Sequence, residues 1–460
     1  MSDALATIEA AAAESTNAVT GRLFEIPKVS ALTALALAVA DMIGTGVFTS
    51  LGFQVRDIPS GFSLLMLWVV GGVVALCGAL SYSELAAAFP RSGGEYNFLS
   101  RTFHPAVGFL AGWISGTVGF AAPVALAAMA FGQYFAGIVP GAPALLLGLG
   151  VTILVSLVHL SGTNRGSVLQ NISTFMKLGL IAVLIVAGFV WGKPQNISFV
   201  PSAADAGYIA GAPFAISLVF VLYAYSGWNA ATYIAGEIKD AHRSLPRSIL
   251  GALLIVTGLY VALNAVFLYT TPLQELSGQL DVGLIAGRHI FGEAGGRLVA
   301  ALICVGLVSS ISAMMWVGPR VTMVMGEDVP LLRAFSKRSA NGVPVSALLL
   351  QLAVVTALML TQSFEAVLDF IQFALTLSSF LTVLGVIVLR YRQPDLPRPY
   401  KAWGYPVTPF IFLAVTAFVL AHLAVERPLQ SFASFCTMLA GLLLYAISER
   451  HRRAAPQETC

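Results

Sequence analysis

Charge is what this chain has least of. Of 460 residues only 25 are Lys or Arg and 22 are Asp or Glu, 10% in all, against about 25% in a soluble domain. So few charges cannot cover a folded chain of this size with polar surface, and a hydrophobic content of 57% and a mean hydropathy of +0.84 say the same. Lipid is the solvent for most of the chain. Soluble enzymes, secreted disulfide scaffolds and nucleic-acid binders are excluded, and a net charge of +3 is too small to argue any electrostatic partner. Cysteine is scarce as well: Cys77, Cys304 and Cys436 lie in apolar runs, and Cys460 is the last residue. With no CxxC and no Cys/His cluster, neither a metal site nor a disulfide framework is expected, and these cysteines read as small packing residues. No basic stretch leads into an apolar one near Met1, so the N-terminal segment reads as a mobile tail and not as a cleavable signal. A GxxxxGK[ST] phosphate loop is also missing, which argues against ATP drive. No cofactor and no catalytic residue is expected.

What is present is a series of apolar runs. Twelve are long enough to cross a bilayer, which takes about 20 residues each: 29–54, 61–89, 104–137, 142–161, 167–191, 207–236, 245–270, 296–325, 344–362, 364–391, 406–424 and 428–448. They are continuous and do not alternate, so they predict helices and not barrel strands. The third and eighth exceed a span's need, which suggests tilt, and the connection 271–295 has room for a short surface helix. With the N-terminus in the cytoplasm, nineteen basic residues fall on the cytoplasmic side and five, Arg56, Lys193, Arg288, Arg297 and Arg427, on the other. Lys177 lies within a span. This asymmetry predicts both termini in the cytoplasm. The expected organisation is a tail over 1–28, a core of ten helices over 29–391, two further helices over 392–449 and a tail over 450–460.

Two spans are interrupted. The first contains Asp41-Met42-Ile43-Gly44-Thr45-Gly46-Val47-Phe48, and the sixth contains Tyr223-Ala224-Tyr225-Ser226-Gly227-Trp228-Asn229. Glycine tolerates backbone that other residues cannot adopt. Unwound backbone at membrane depth survives only buried in protein or facing a polar cavity. The half-helix that follows such a break offers N–H groups to a carboxylate, and freed carbonyls can take an ammonium. The alternative is that these glycines are helix-packing contacts. Paired breaks in segments one and six favour a transport site at an inverted five-plus-five repeat.

At these residues the chain resembles the amino acid–polyamine–organocation superfamily, in particular permeases similar to the L-type amino acid transporters. The resemblance rests on Ile43-Gly44-Thr45-Gly46-Val47-Phe48, on Tyr82-Ser83-Glu84-Leu85 with Pro90-Arg91-Ser92-Gly93-Gly94-Glu95-Tyr96, on Tyr225-Ser226-Gly227-Trp228-Asn229 with Glu237-Ile238-Lys239-Asp240 and Arg243-Ser244-Leu245-Pro246, and on Gly318-Pro319-Arg320. It implies an all-α polytopic membrane protein of twelve transmembrane helices. Ten of them form the LeuT-like inverted repeat shared with sodium-coupled amine transporters, with helices 1 and 6 broken, and two are peripheral. It further implies that the substrate α-carboxylate sits on the amides of Gly44, Thr45 and Gly46. The α-amino group would meet the carbonyls of Ile43 and of Tyr225 or Tyr223, and Tyr223 would close over the substrate. For Tyr223 and Trp228, ordinary aromatic packing is the competing reading. The animal light chains carry a cysteine between spans three and four, whereas Val139 to Ala144 has none, so no disulfide-linked heavy chain is expected. Asp41 departs from the neutral residue usual in the family.

Two charges lie at membrane depth, where an ionisable residue suggests function. Lys177 could instead snorkel to the interface. The resemblance gives its ammonium the place of the sodium ion bridging spans one and eight, with first-break carbonyls, Ser309 or Ser310, and Tyr260 as partners. Asp41 is spaced to face the break and sits at the carboxyl end of its half-helix, where a carboxylate opposes the dipole. Its candidate partners are Lys177, a substrate ammonium or a proton, and an exposed vestibule position is the alternative. Together Asp41 and Lys177 are expected to couple or gate the cycle. Glu84, Glu237 and Lys239 suit structural salt bridges at the inner gate. A membrane enzyme is disfavoured because His104, His242, His289 and His451 lie in loops or at span ends and His159 and His422 lie near span ends. A channel would need a repeated filter. The expected function is secondary transport of L-amino acids by exchange or proton symport. Small or apolar pocket residues such as Ala122, Pro123, Ala230 and Ser378 lean toward neutral substrates and away from cationic amino acids or polyamines. The partners are then the amino acid, protons and the lipid bilayer.

Overall fold

The computed structural model describes residues 30–91, 93–161, 166–233, 238–339 and 342–454, with backbone alone for 166–174, 230, 233 and 451–454. The N-terminal tail, residues 455–460 of the C-terminal tail, Ser92 and Glu237 lie outside the described residues. Among the described residues the chain is helical and has no strand.

The first apolar run forms α1 (Ala31–Met42) and α2 (Gly46–Gln54), with the chain unwound between them. Ser30 caps α1 by accepting from the Thr33 amide at 3.1 Å, and Ser60 caps α3 (Gly61–Ala88) in the same way from Ser63 at 3.2 Å. Each cap satisfies one of the free amides that a helix start leaves. After the short α4 (Glu95–Thr102) comes the third run, which is not one helix. α5 (Pro105–Ile114) and α6 (Ala121–Ile138) are joined by a π-helical turn, Ser115–Gly119. α7 (Ala144–Leu160) and α8 (Gly166–Trp191) follow.

The sixth run is also divided: α9 (Asp205–Ala210), α10 (Ala212–Tyr225), then α11 (Ala230–Tyr233) beyond the second break. Asp205 anchors this region by accepting from the hydroxyls of Ser60, Ser63 and Ser202 and from the Ser202 amide. Those donors hold its carboxyl well below the ordinary carboxylate range. α12 (Ala241–Thr270) lies against α1 and α3. The connection after it carries α13 (Leu273–Leu276) and the first leg of α14 (Val282–Asp328), which kinks at Gly292. α14 packs along α6 and α8. α15 (Val345–Met359), α16 (Phe364–Arg392), α17 (Val407–Glu426) and α18 (Pro428–Ala454) complete the chain.

Eight helices among the described residues are long and apolar enough to cross a membrane, fewer than the twelve expected. Four more apolar stretches are shorter: Ala144–Leu160, Phe175–Trp191, Ala212–Tyr225 and Val345–Met359. Phe175–Trp191 is the later part of α8, whose 26 residues are enough to cross, while at about 1.5 Å per residue the other three fall short of the roughly 30 Å hydrocarbon thickness. For Ala212–Tyr225 the reason is local, since the chain unwinds immediately after it. Leu146, Leu154, Val186, Phe189, Phe432 and Phe435 are exposed, the outward apolar surface a helix needs when its solvent is lipid.

Candidate functional site

Both expected breaks are present, and they face each other. Gly227 in the second has φ of +99°, and a Cβ there would lie 2.9 Å from Asp41 Oδ2 and 3.0 Å from the Asp41 carbonyl carbon. Only glycine fits such backbone at such a contact. Gly46 is constrained differently: a Cβ on it would stand 2.5 Å from Cα of Ala224 on α10. Packing therefore accounts for Gly46 and unwinding for Gly227, and the two act together in closing one break on the other.

Tyr260 of α12 joins them. Its buried hydroxyl lies 2.5 Å from the Met42 carbonyl and 3.1 Å from that of Ala224. One proton serves two acceptors, so the shorter bond takes most of it. Lys177, buried on α8, donates to the Ile43 carbonyl at 2.9 Å and to Ser310 Oγ at 2.8 Å. Lys177 thus ties α8, the first break and α14 together and does not snorkel. Ser309 is buried next to Ser310. The expected contact of Tyr260 with Lys177 is replaced by the carbonyl bridge.

Asp41 and Lys177 interact at a distance and not as a direct ion pair. Among the described ion pairs none joins them, and the ammonium is spent on Ile43 and Ser310, although Asp41 feels its charge at longer range. The carboxylate instead lies on the backbone of Gly227. Two of the carbonyls expected for an α-amino group already accept hydrogen bonds. Ile43 accepts from Lys177. Tyr223 accepts from the Ser226 amide at 2.9 Å and its hydroxyl at 2.6 Å. The Gly44 amide turns back on Met42 at 2.8 Å, whereas Thr45 and Gly46 open α2 and make no backbone bond beyond their own helix. Such a helix start carries partial positive charge. The Tyr223 side chain hydrogen-bonds that of Thr45 over this end.

A cavity of about 820 Å³ reaches the breaks from one side. On the first broken segment its lining comes from α1, Leu32 to Asp41, and none from α2. On the other it begins at Leu222 and includes Tyr225, Ser226, Gly227 and Trp228. Ile43, Thr45, Gly46, Tyr223, Tyr260, Ser309 and Ser310 lie behind its wall, and Gly44 and Lys177 border a separate void of about 10 Å³. Trp228 meets Tyr82 edge-on at 4.7 Å, so it packs on α3 and also lines the cavity. Pro123 lines the cavity, but Ala122 and Ser378 do not. Glu84 is bound by Arg390 at 2.6 Å, by Arg398 at 3.4 Å and by the Ala402 amide at 2.7 Å. It pins the segment after α16 to α3 and makes no bond to Lys239.

The far side of the breaks is closed. Phe53 stacks on Phe220 at 5.1 Å and on Phe364 at 5.7 Å. Arg56 lies over Phe53 and pairs with Glu365 at 2.5 Å, and Arg427 pairs with buried Asp369 at 3.2 Å. Tyr134 donates to the Phe48 carbonyl at 2.7 Å and accepts from the Gly283 amide at 3.0 Å.

Several of these residues escaped the sequence. Glu95, visible there only as part of a motif, is a buried carboxylate on the cavity wall that accepts from Tyr82, from Ser378 at 2.6 Å and from Ser379 at 3.3 Å. Burial pushes its carboxyl above the ordinary value, against the pull of those hydroxyls. Its signal was a Glu beside Gly93-Gly94, with nothing to say what it faces. His159 lines the cavity 3.0 Å from Ser312. Among the described residues no group of His, Cys, Asp and Glu is placed to hold a metal.

Comparison with known proteins agrees with this geometry. The amino acid permease family model matches residues 29–447. The chain is similar to the serine/threonine exchanger SteT of Bacillus subtilis, 27% identical over 91% of this chain and 96% of the relative. It is similar to the mouse b(0,+)-type amino acid transporter 1, 26% identical over 91% and 87%. It is similar also to the human large neutral amino acids transporter small subunit 2, 26% identical over 91% and 79%. With paired breaks inside an apolar helical bundle and a match over nearly its whole length, the chain is an integral membrane protein and belongs to the amino acid permease family.

Proposed function

We propose that the protein is a secondary transporter of neutral L-amino acids working by alternating access as an exchanger or proton symporter. The observation that carries this is the pair of facing breaks, drawn together at Gly227 and Asp41 and bridged by the Tyr260 hydroxyl. They lie at the end of a cavity lined on the first segment by α1 and not by α2. Unwound backbone at membrane depth is tolerated where it serves a polar site. The α-carboxylate binds the amides that open α2, near Thr45 and Gly46, and Tyr223 closes over it. The four shorter apolar helices, added to the eight long ones, support twelve spans, the first ten as an inverted repeat and α17 and α18 as the peripheral pair. The distribution of basic residues supports cytoplasmic termini in a bacterial inner membrane protein, and with that orientation the cavity faces inward. The chain acts without a disulfide-linked heavy chain, since 139–144 has no cysteine. Its relatives are named as exchangers and transporters, which supports transport over catalysis.

The test is solute counterflow in proteoliposomes. Serine, alanine or leucine inside should drive uptake of the labelled L-amino acid, equally with and without sodium, because Lys177 supplies the positive charge at the first break. A methyl ester should not compete, having no carboxylate for the amides. Failure of every neutral amino acid to exchange sinks the proposal; a steep sodium dependence sinks the role of Lys177 alone.

A further inference from the structure

We propose that Asp41 is the ligand for the α-ammonium of the transported amino acid and the residue by which the site tells an amino acid from a hydroxy acid; this rests on the transport reading above. The cavity's charged lining is acidic. Among the described residues Asp41 and Glu95 are its carboxylates, His159 adds an imidazole, and no Lys or Arg lines it. The two carboxylates are not equivalent. Glu95 is held by three hydroxyls. Asp41 accepts no hydrogen bond and makes no ion pair among the described residues, and the nearest positive charge, Lys177, is already bound to Ile43 and Ser310. A carboxylate left without donors in a cavity wall is a costly group that a bound cation relieves.

Position selects which cation. Asp41 stands one helical turn before Thr45 and Gly46, whose amides open α2, and its carboxylate lies against Gly227 of the second break. It therefore sits at the inner end of the cavity, where the wall meets both breaks. The α-ammonium and the α-carboxylate share one carbon, so whatever binds the first must lie within a few ångströms of whatever binds the second. A side-chain ammonium would lie several bonds farther out. Three carbonyls at the breaks already accept a hydrogen bond, Ile43 from Lys177, Met42 from Tyr260 and Tyr223 from Ser226. Asp41 adds a charged acceptor to these.

The experiment uses purified full-length protein in liposomes and three matched pairs: L-alanine with L-lactate, L-leucine with L-2-hydroxyisocaproate and L-phenylalanine with L-phenyllactate. For the best-transported pair, the wild type should reject the hydroxy acid by at least ~100-fold, because a site built for an ammonium leaves its carboxylate unpaired on the analogue. In Asp41→Asn the half-saturation concentration for the amino acid should rise about tenfold or more while the inhibition constant of the hydroxy acid stays within about threefold. Asp41→Glu, which keeps the charge, should recover part of the loss. Wild-type discrimination in Asp41→Asn overturns the inference, as does a loss confined to competition by L-lysine, which would assign Asp41 to the side chain. If Asp41→Asn does not turn over, thermal stabilisation of the purified variant decides: stabilisation by the amino acid equal to that of the wild type overturns the inference, and its loss with monodispersity retained supports it. Absence of counterflow for all three amino acids in the wild type defeats the transport reading and takes this inference with it.

Discussion

The two sides of the broken helices are built from different chemistry. On the cavity side, α1 and the residues from Leu222 onward leave a wall with two carboxylates, an imidazole and unwound backbone. On the closed side, α2 and α10 meet through aromatic faces, Phe53 between Phe220 and Phe364, rimmed by the Arg56–Glu365 and Arg427–Asp369 pairs. The contrast shows where the molecule is fixed and where it can yield. Each aromatic pair contributes about 0.5–1.5 kcal/mol beyond its buried area, and a half-exposed ion pair such as Arg56–Glu365 about 0–1 kcal/mol. A closed side of that strength can be opened by binding energy of ordinary size. The junction of the breaks is another matter, because a Cβ on Gly227 would meet the Asp41 backbone as well as its carboxylate, and one on Gly46 the Ala224 backbone.

The largest effect is therefore expected at Gly227. Alanine there must hold φ near +99° with its Cβ 2.9 Å from Asp41 Oδ2, and the backbone cost alone is about 1–2 kcal/mol. Gly227→Ala should lower exchange by roughly 100-fold or more once the displaced contact with Asp41 is added. Near-normal exchange in a monodisperse sample would show that the two breaks separate freely during the cycle, and the contrast between yielding and fixed regions would fail. Gly46→Leu is a poorer probe. Its side chain meets the Ala224 backbone, so loss of transport there would report packing as much as the carboxylate site.

Lys177→Met comes next. It removes the donor from Ile43 and Ser310 and costs about 1–3 kcal/mol for the acceptors left unsatisfied. Exchange should fall by at least about tenfold without becoming sodium-dependent, because no new cation ligands are created. Recovery of activity by added sodium would mean that the site holds an ion as well as an ammonium.

Smaller effects belong to the closed side. Phe53→Ala removes both stacks and should shift the population toward opening on that side by about tenfold, while Arg56→Gln should do so by only about two- to fivefold. Labelling of Ser50→Cys in a cysteine-free background, with an impermeant maleimide applied to that side, measures the shift. If Arg56→Gln exceeds Phe53→Ala, the ion pairs and not the rings hold the side shut.

How much of this was legible in the sequence depends on whether the signal was local. The breaks were, because glycine next to Thr45 or Ser226 in the middle of an apolar run weakens the helix at that point whatever surrounds it. Lys177 was, because an ammonium in lipid needs partners, though which partners was set by α14 and could not be read from α8. The π-turn at Ser115–Gly119 was not, since its residues suit an ordinary helix and only the surplus length of the third run hinted at it. The split of the two carboxylates into one with donors and one without was also hidden. Asp41 and Glu95 differ through Tyr82, Ser378, Ser379 and Gly227, none of which is within five residues of the carboxylate it touches or misses.

Glu95 gives the smallest and most specific prediction. Burial raises its pKa, and no ion pair offsets this among the described residues. The folded protein then binds a proton that the unfolded chain has released at any pH between the ordinary carboxylate value and the raised one. Stability must fall as pH rises through that window and stay lower above it. Glu95→Gln keeps the shape and an oxygen for Tyr82 or Ser378 but removes the titration. The variant should therefore melt within a few degrees of the wild type at acid pH and at or above it at neutral pH, with a flatter dependence between. A parallel pair of melting curves would mean that the three hydroxyls stabilise the charged form fully, leaving Glu95 on the cavity wall as a fixed negative charge.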